Sequence, residues 1–175
     1  MVLRTRTNYC SRFSPCLCNH GGEVMSNNGD CYGTPMDLYQ QLNQRFNFTL
    51  DPCAWPGNRL DTPKFYTEID NGLVMSWSGH RVFLNPPYSK PDPWTEKAYK
   101  ESLGGALVVG LLRHDPSTRW WNKWIKDKAI VIPIPYRLKF VNFETKQPEG
   151  SYNFPSAIVI WHGLFVPRGL FEESK

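Results

Sequence analysis

The sequence has no apolar stretch long enough to cross a bilayer, and its first residues lack the continuous apolar segment of a signal peptide. It also has no internal repeat and no low-complexity tract. A length of 175 residues is enough for one compact domain with a real core. We therefore expect a soluble, cytoplasmic protein with no membrane partner.

A convincing metal-binding pattern is also lacking, although the chain contains five cysteines: Cys10, Cys16, Cys18, Cys31 and Cys53. The spacing Cys16-x-Cys18-x-His20 is tighter than the usual C-x₂₋₄-C pairs of zinc sites, and no matching second pair follows. Disulfides are not expected in a reducing compartment. The sequence therefore predicts no metal site.

The opening segment reads as translated non-coding sequence. Gly21-Gly22-Glu23 followed by Val24-Met25 is what a ribosome-binding purine tract upstream of a start codon would encode in frame. We expect the natural start at Met25, with residues 1–25 a non-native or disordered extension. Residues 26–175 are expected to form the working domain.

Apolar periodicity and turn residues predict alternating helices and strands. Thr34 is predicted to cap a first helix that has Pro35 in its first position. Further helices are expected at about 91–102 and 118–126, the latter capped by Ser117. Strands are expected at 48–50, 82–84, 106–112, 129–132, 138–141 and 157–161, and loops at 61–71 and 142–152. The alternation indicates a doubly wound α/β fold.

The tetrapeptide Asn85-Pro86-Pro87-Tyr88 follows the apolar run 81–84, at the carboxyl end of a predicted strand, where open α/β sheets bind ligands. The Asn85 amide oxygen and the Pro86 carbonyl can each accept an N–H bond, which localises the lone pair of a conjugated nitrogen. The prolines fix the turn without adding competing donors, and the Tyr88 ring offers a stacking face. The alternative is a chance match or a peptide signal of a flexible tail.

Basic and aromatic residues are interleaved between residues 113 and 128, although the net charge of +4 would not by itself indicate a nucleic-acid partner. Such interleaving is typical of a surface that tracks phosphates and stacks bases. Alternatively, Trp120, Trp121 and Trp124 belong to the core and the charges lie on a solvated helix face. The candidate DNA-binding residues are Arg113, Arg119, Lys123, Arg137, Lys139 and Phe140, the last of which is equally explained as core.

Asn-Pro-Pro-Tyr after a strand is the active-site signature of enzymes that methylate an exocyclic or amide nitrogen, and other segments match in order. Together they resemble the phage-type DNA N6-adenine methyltransferases, the Dam family of phage and prophage genomes. The resemblance covers roughly residues 33–161. Besides the tetrapeptide it rests on Thr34-Pro35, Phe46-x-Phe48-x-Leu50-Asp51, Ala54, Asn58, Asp70-x-Gly72-Leu73, Trp77, Trp94, Lys97-Ala98, Arg137-Leu138-Lys139-Phe140 and Phe154-Pro155-Ser156-Ala157.

The resemblance implies a Rossmann-like methyltransferase fold, with a mostly parallel sheet and flanking helices in a single compact domain. It also implies S-adenosylmethionine as methyl donor, and double-stranded DNA with a flipped adenine as partner. The expected location is the cytoplasm of a bacterial host cell. Because family members lack a large recognition domain, loops 113–119 and 142–152 are the candidates for sequence recognition.

One departure concerns the donor site, because the chain has no G-x-G loop after its first strand. Asp51-Pro52-Cys53-Ala54 occupies the equivalent strand end, and Asp51 is expected to accept the donor's amino group. The alternative is that Asp51 only caps the turn. The predicted donor-binding residues are Thr34, Pro35, Asp51, Pro52, Ala54 and Asp70, although helix capping explains Thr34 and Pro35 almost equally well.

The predicted activity is transfer of a methyl group to the N6 amine of adenine in DNA, with Asn85, Pro86, Pro87 and Tyr88 as catalytic residues. Its enzymatic rivals are methylation of an RNA base, a protein glutamine or cytosine N4. The first two usually need extra binding segments that are absent here, and Ser commonly replaces Asn in the third. The non-enzymatic rival is a decayed DNA-binding protein. The recognition sequence and oligomeric state are not predicted.

Overall fold

The structure, a computed structural model, describes residues 32–55, 57–142 and 154–163. Within these ranges the strands are β1 (Tyr32–Gly33), β2 (Leu50–Asp51), β3 (Lys64–Phe65), β4 (Arg81–Leu84), β5 (Leu107–Arg113), β6 (Ile130–Pro133), β7 (Val141–Asn142) and β8 (Ser156–Trp161). The helices are α1 (Met36–Phe46), α2 (Pro91–Leu103) and α3 (Arg119–Trp124). The predicted extension 1–25, four of the five cysteines and most of the predicted loop 142–152 lie outside the described residues.

Six of the strands form one sheet in the order β3-β2-β4-β5-β8-β6, and β1 pairs with β7 in a separate antiparallel ribbon. Strands β3, β2, β4 and β5 pair in parallel, whereas β8 runs antiparallel to both β5 and β6. Strand β6 therefore points the same way as β5, and β8 is the reversed strand among the six. The α/β class predicted from the alternation of helices and strands is confirmed, and the six-stranded sheet is mixed.

The sheet separates two buried clusters, because successive side chains of a strand point to opposite faces. The face covered by α1, here called the α1 face, contains Tyr39, Phe48, Phe83, Val109, Leu111, Leu138, Phe140 and Ile158. The opposite face carries α2 and α3 and includes Leu50, Trp77, Val82, Leu84, Ala98, Val108, Leu112, Trp121 and Trp161. Phe83 lies two residues before Asn85, so β4 directs Asn85 toward the α1 face.

The start of α1 differs from the prediction. The residue before the helix is Pro35, whose ψ of 130° is not helical, and no side chain caps this end. The expectation that Thr34 caps the helix, with Pro35 in its first turn, is therefore wrong. The Thr34 hydroxyl instead bonds the side chain of Asn85, 51 residues away in sequence. A tertiary partner has replaced the local cap.

Three other boundaries also differ. The predicted cap Ser117 is displaced by Thr118, and α3 is shorter than expected. Strand β3 lies within the segment 61–71 that was predicted to be a loop. Its two residues are exposed and have no apolar pattern, and they form a strand because they pair with β2. Of the predicted strand 138–141, only Val141 belongs to β7. Short strands of this kind depend on a partner strand and leave little local signal.

Helix α2 closely follows its prediction. Pro91 occupies the first turn, where a missing N–H has no cost, and Gly104 ends the helix with its N–H bonded to the last turn. The helix buries Thr95, Ala98 and Ser102 against the sheet. No helix within the described residues is long and apolar enough to cross a membrane.

Gly72 packs against the loop that follows β2. A Cβ at this position would lie 2.1 Å from the Pro52 carbonyl oxygen, so the backbone would have to move. We expect Gly72→Ala to lower the free energy of unfolding by about 1–3 kcal/mol, measured by urea denaturation. Gly104→Ala is the comparison, because Gly104 has a φ of −84° and its nearest such contact is 3.3 Å. Equal losses in the two variants would contradict this packing argument.

Candidate active site

The candidate site lies along the carboxyl ends of three neighbouring strands. Asp51 ends β2, Asn85 directly follows β4, and Arg113 ends β5. Strand β3 lies on one side of β2 and β4 on the other, so the chain reverses its direction of travel across the sheet at this point. Ligands of open α/β sheets bind in the crevice at such a switch point. Asp51, predicted for donor binding, and Asn85, predicted for catalysis, thus lie at one edge of the sheet.

Asn85 is half-buried, and its side chain is held by the segment before α1. The Asn85 Nδ2 group donates a hydrogen bond to Thr34 Oγ1 at 3.0 Å. Thr34 itself is only 2% exposed. Within the described residues no donor bonds the Asn85 amide oxygen, which therefore remains available to a ligand. Pro86 is buried and Pro87 half-buried, so the turn after β4 is fixed by packing as well as by the proline rings.

Asp51 is a buried carboxylate without a cationic partner among the described residues. Its side chain is 5% exposed, and its Oδ1 accepts the Cys53 backbone N–H at 3.0 Å. Burial raises the pKa of Asp51 from 3.8 to about 7, and the bond from Cys53 only partly opposes this. Burial, followed by the charges of Asp51 and Asp61, raises the pKa of Tyr39 to about 12. A cation placed beside Asp51 would relieve this electrostatic cost.

The loop after β2 is fixed by backbone hydrogen bonds to the segment after β3. The Tyr66 N–H donates to the Asp51 carbonyl at 2.8 Å, and the Ala54 N–H donates to the Tyr66 carbonyl at 2.9 Å. Pro52 and Ala54 are buried. This loop therefore holds the Asp51 carboxylate without a Gly-rich sequence.

Asp70 is placed differently from Asp51. It is exposed, and its Oδ2 accepts both the backbone N–H and the hydroxyl of Thr67 at 2.8 Å. These bonds lower the pKa of Asp70. Asp70 closes a turn after β3, and no contact within the described residues joins it to Asp51. Its predicted part in donor binding stays a prediction.

An aromatic cluster surrounds Tyr88, the last residue of the tetrapeptide. The Tyr88 ring makes T-shaped contacts with Phe140 at 5.8 Å and with Phe154 at 5.3 Å between ring centroids. The Arg113 guanidinium lies 5.3 Å from the centre of the Phe154 ring. Phe140 is only 1% exposed, so in this structure it packs in the α1 face and presents no free surface to DNA. Its contact with the target ring stays a prediction.

Phe154 is a site residue that the sequence pattern did not single out. It precedes β8, and because β8 is reversed, its start lies at the edge where β4 and β5 end. The only sequence signal was its place in the segment 154–157 that matches the family. Strand direction, which sequence does not show, decides its position.

Two depressions share the half-buried Trp120 of α3 in their lining, and one of them also reaches Tyr88. One, of about 310 Å³, is lined by Tyr88, Ser89, Pro91, Leu112, Arg113, Asp115, Thr118 and Trp120. The other, of about 530 Å³, is lined by Asp92, Arg119, Trp120, Asn122 and Lys123. Both volumes fall within the range of small-ligand pockets. The surface beside Tyr88 is thus concave and partly aromatic, and it carries the paired charges of Arg113 and Asp115.

The predicted DNA-binding cations are all exposed: Arg113, Arg119, Lys123, Arg137 and Lys139. Arg113 lies 3.4 Å from Asp115, and the Lys123 ammonium lies 4.4 Å from the centre of the Trp124 ring. The three tryptophans of this segment had two interpretations, as a base-stacking surface or as core, and the structure divides them. Trp121 is buried core, whereas Trp120 and Trp124 are half-buried.

Metal-ligating groups do not converge in the described part of the chain. No cluster of three or more His, Cys, Asp or Glu side chains able to hold a metal ion is found there. Cys53, the cysteine within the described ranges, has its thiol pKa raised well above the usual value, by burial and then by Asp51. A thiol in that state is a poor metal ligand or nucleophile.

Comparison with known proteins gives consistent matches. A family profile described as DNA N-6-adenine-methyltransferase (Dam) matches residues 21–175. The chain is 35% identical over 150 residues to the DNA N-6-adenine-methyltransferase of Haemophilus phage HP1 (strain HP1c1), spanning 83% of this chain and 84% of that protein. It is 30% identical over 152 residues to the DNA N-6-adenine-methyltransferase of Escherichia phage T1, spanning 77% of this chain and 63% of that protein.

The profile covers most of the chain, and the HP1 relative aligns over most of both sequences. These matches confirm the resemblance indicated by the tetrapeptide and the segments around it. The chain belongs to the DNA N-6-adenine-methyltransferase (Dam) family.

Proposed function

We propose that this chain methylates the N6 amine of adenine in DNA through Asn85, with Asp51 holding the methyl donor on the adjacent strand. Phage relatives named for this activity support the reaction. The observation that carries the residue assignment is the parallel pairing of β2 with β4. At the carboxyl ends of these neighbouring strands stand a buried carboxylate without a cationic partner and an amide whose oxygen is unengaged within the described residues. The two groups suit a cationic donor and an amine acceptor, respectively.

A Rossmann-like arrangement is part of the proposal. Five of the six sheet strands run in one direction, and the reversed strand β8 lies between β5 and β6. The chain continues from β2 to β3 on one side and from β4 to β5 on the other, and this switch point supports a ligand crevice there. The helices α1 and α2 cover opposite faces, as a doubly wound layer structure requires.

The donor of a methyltransferase of this family is S-adenosylmethionine, which supplies a methyl group on a strongly electrophilic sulfonium. Asp51 fits its amino group because a buried carboxylate gains a charge-assisted partner there. Pro52 and Ala54 form the adjoining wall. Thr34 is assigned to Asn85 rather than to the donor, because its hydroxyl bonds the Asn85 side chain. Pro35 directly follows Thr34, and its part in donor binding is proposed from the family resemblance, as is that of Asp70.

Asn85 and Pro86 activate the acceptor nitrogen in this proposal. The adenine amine donates one hydrogen to the Asn85 amide oxygen and one to the Pro86 carbonyl, which draws the nitrogen toward a tetrahedral geometry. Pro86 and Pro87 bring no N–H group that would compete for those acceptors. After transfer the extra proton passes to solvent. No covalent enzyme intermediate is needed, so orientation supplies most of the catalysis.

A base inside a duplex cannot reach Asn85, so the target adenine is proposed to flip out of the helix. Tyr88 offers the stacking face, and its T-shaped contacts with Phe140 and Phe154 hold the ring in place. The exposed cation Arg113 lines the depression that reaches Tyr88, and Arg119 and Lys123 line the depression on the other side of Trp120; all three are proposed to contact phosphates. Arg137 and Lys139 precede β7 and are also exposed, and their contact with DNA is proposed from the sequence pattern alone.

Asn85→Ala is expected to lower the rate of methyl transfer by at least about 100-fold, because the variant lacks the oxygen that localises the lone pair. Affinity for S-adenosylmethionine should stay close to that of the wild type, since Asp51 is unchanged. Single-turnover assays with radiolabelled donor and a DNA duplex measure the first quantity, and calorimetric titration the second. Full activity in this variant would refute the assignment of Asn85.

Donor affinity is expected to depend on pH through Asp51. The carboxyl must be ionised to bind an ammonium group, and its pKa in the free protein is about 7. Affinity should therefore fall as the pH is lowered through 7, approaching about tenfold per pH unit in acid. Titrations from about pH 5.5 to about pH 7.5 bracket that pKa, and Asp51→Asn should bind weakly with no such dependence. A wild-type affinity that is constant over this range would exclude Asp51 as the ammonium partner.

The basic surface is tested by salt dependence. Replacing Arg119 and Lys123 together by Gln should reduce the slope of log K against log salt by about 0.9 for each phosphate that these side chains neutralise. Lys100→Gln is the matched control, because Lys100 is exposed on α2 and paired with Glu96. Fluorescence anisotropy with a labelled duplex gives the slopes. An unchanged slope in the double variant would remove these two residues from the DNA interface.

A further inference from the structure

We infer that Thr34 is a positioning residue, whose hydroxyl holds the Asn85 amide in the orientation that presents its oxygen to the target amine. The inference rests on the proposed function of Asn85. It concerns a side chain that neither helix capping nor the donor site accounts for in this structure.

The amide of an asparagine has two nearly isosteric orientations, and only one of them suits the reaction. With the oxygen toward the target, the amide accepts an N–H bond; with the nitrogen toward the target, two donors face each other. Rotation of the terminal amide is otherwise soft, because such torsions have broad minima. A catalytic Asn therefore needs a partner that selects one orientation.

Thr34 supplies that partner. Its Oγ1 accepts the Nδ2–H of Asn85 at 3.0 Å, and within the described residues this is the bond that the Asn85 side chain makes. The bond engages the nitrogen and leaves the oxygen for the acceptor substrate. Accepting a hydrogen from the nitrogen also polarises the amide and strengthens its oxygen as an acceptor.

Thr34 is well suited to hold a fixed position. It is 2% exposed, and its branched side chain has few accessible rotamers. Its carbonyl accepts a bond from Arg59 Nη1 at 3.3 Å. The preceding Gly33 pairs with Val141 in the β1–β7 ribbon, and the following Pro35 leads into α1. The hydroxyl is therefore fixed by elements on both sides of it.

Thr34→Val tests this role, because valine has nearly the same shape and lacks the hydroxyl. At saturating donor and DNA, we expect the single-turnover rate of methyl transfer to fall about 10- to 100-fold, the effect of misplacing a reacting group. Affinity for S-adenosylmethionine should be unchanged. Thr34→Ser keeps the hydroxyl and should restore most of the rate.

Thr62→Val is the matched control. Thr62 is also 2% exposed, and its hydroxyl donates to the Oδ1 of Asn58 at 3.0 Å, outside the proposed site. It should lose a comparable amount of stability in thermal unfolding but keep the wild-type rate. A rate loss in Thr62→Val equal to that in Thr34→Val would mean that buried hydroxyls matter only through stability, and would overturn the inference.

A second measurement is independent of activity. The side-chain NH₂ signal of Asn85 in ¹⁵N–¹H spectra, identified by its absence in Asn85→Ala, should shift in Thr34→Val and return in Thr34→Ser. An unchanged signal in Thr34→Val, or a variant that loses donor affinity instead of rate, would overturn the positioning role. If Asn85→Ala loses transfer while Thr34→Val keeps it, only this inference fails. If Asn85→Ala keeps full activity, the proposed function of Asn85 itself fails.

Discussion

The parallel pairing of β4 with β2 on one side and β5 on the other is the constraint on which the site depends. Parallel neighbours end at the same edge of a sheet, so this pairing brings Asp51, Asn85 and Arg113 together although they are far apart in sequence. Of the side chains at these strand ends, those that point toward the α1 face lie on the same side of the sheet as Asn85. Because β4 is completely buried in its last three residues, the tetrapeptide leaves the sheet from a rigid support.

Two polar groups of the site can each take a ligand. Asp51 is buried without a cation, and the oxygen of the half-buried Asn85 is without a donor in the described residues. A buried carboxylate normally has a charged or hydrogen-bonding complement, so Asp51 marks a place where a cationic ligand completes the bonding. The proposed donor and acceptor each complete one of them. The hydrogen bond between Thr34 and Asn85 links the segment before α1 to the end of β4.

The family's chemistry was readable from the chain because it depends on a short local sequence. Asn85-Pro86-Pro87-Tyr88 after an apolar strand carries its meaning within a few residues, and the Asp51 segment likewise follows a strand. Helix α2 and strands β4, β5 and β8 were placed correctly within a residue or two, since each has a strong apolar pattern or clear end signals. Strand β3 was missed because its two exposed residues have neither.

The sequence by itself determined the α/β class, the tetrapeptide at a strand end and the family. The tertiary structure alone decided that β8 is reversed, that Phe154 therefore joins the edge beside Tyr88, and that the Thr34 hydroxyl bonds Asn85 rather than capping α1. The physical reason is the separation in sequence of the residues whose contacts decide each feature. Periodicity, caps and turns are set by neighbours a few residues apart, whereas strand direction and side-chain partners are set by contacts between segments that only folding brings together.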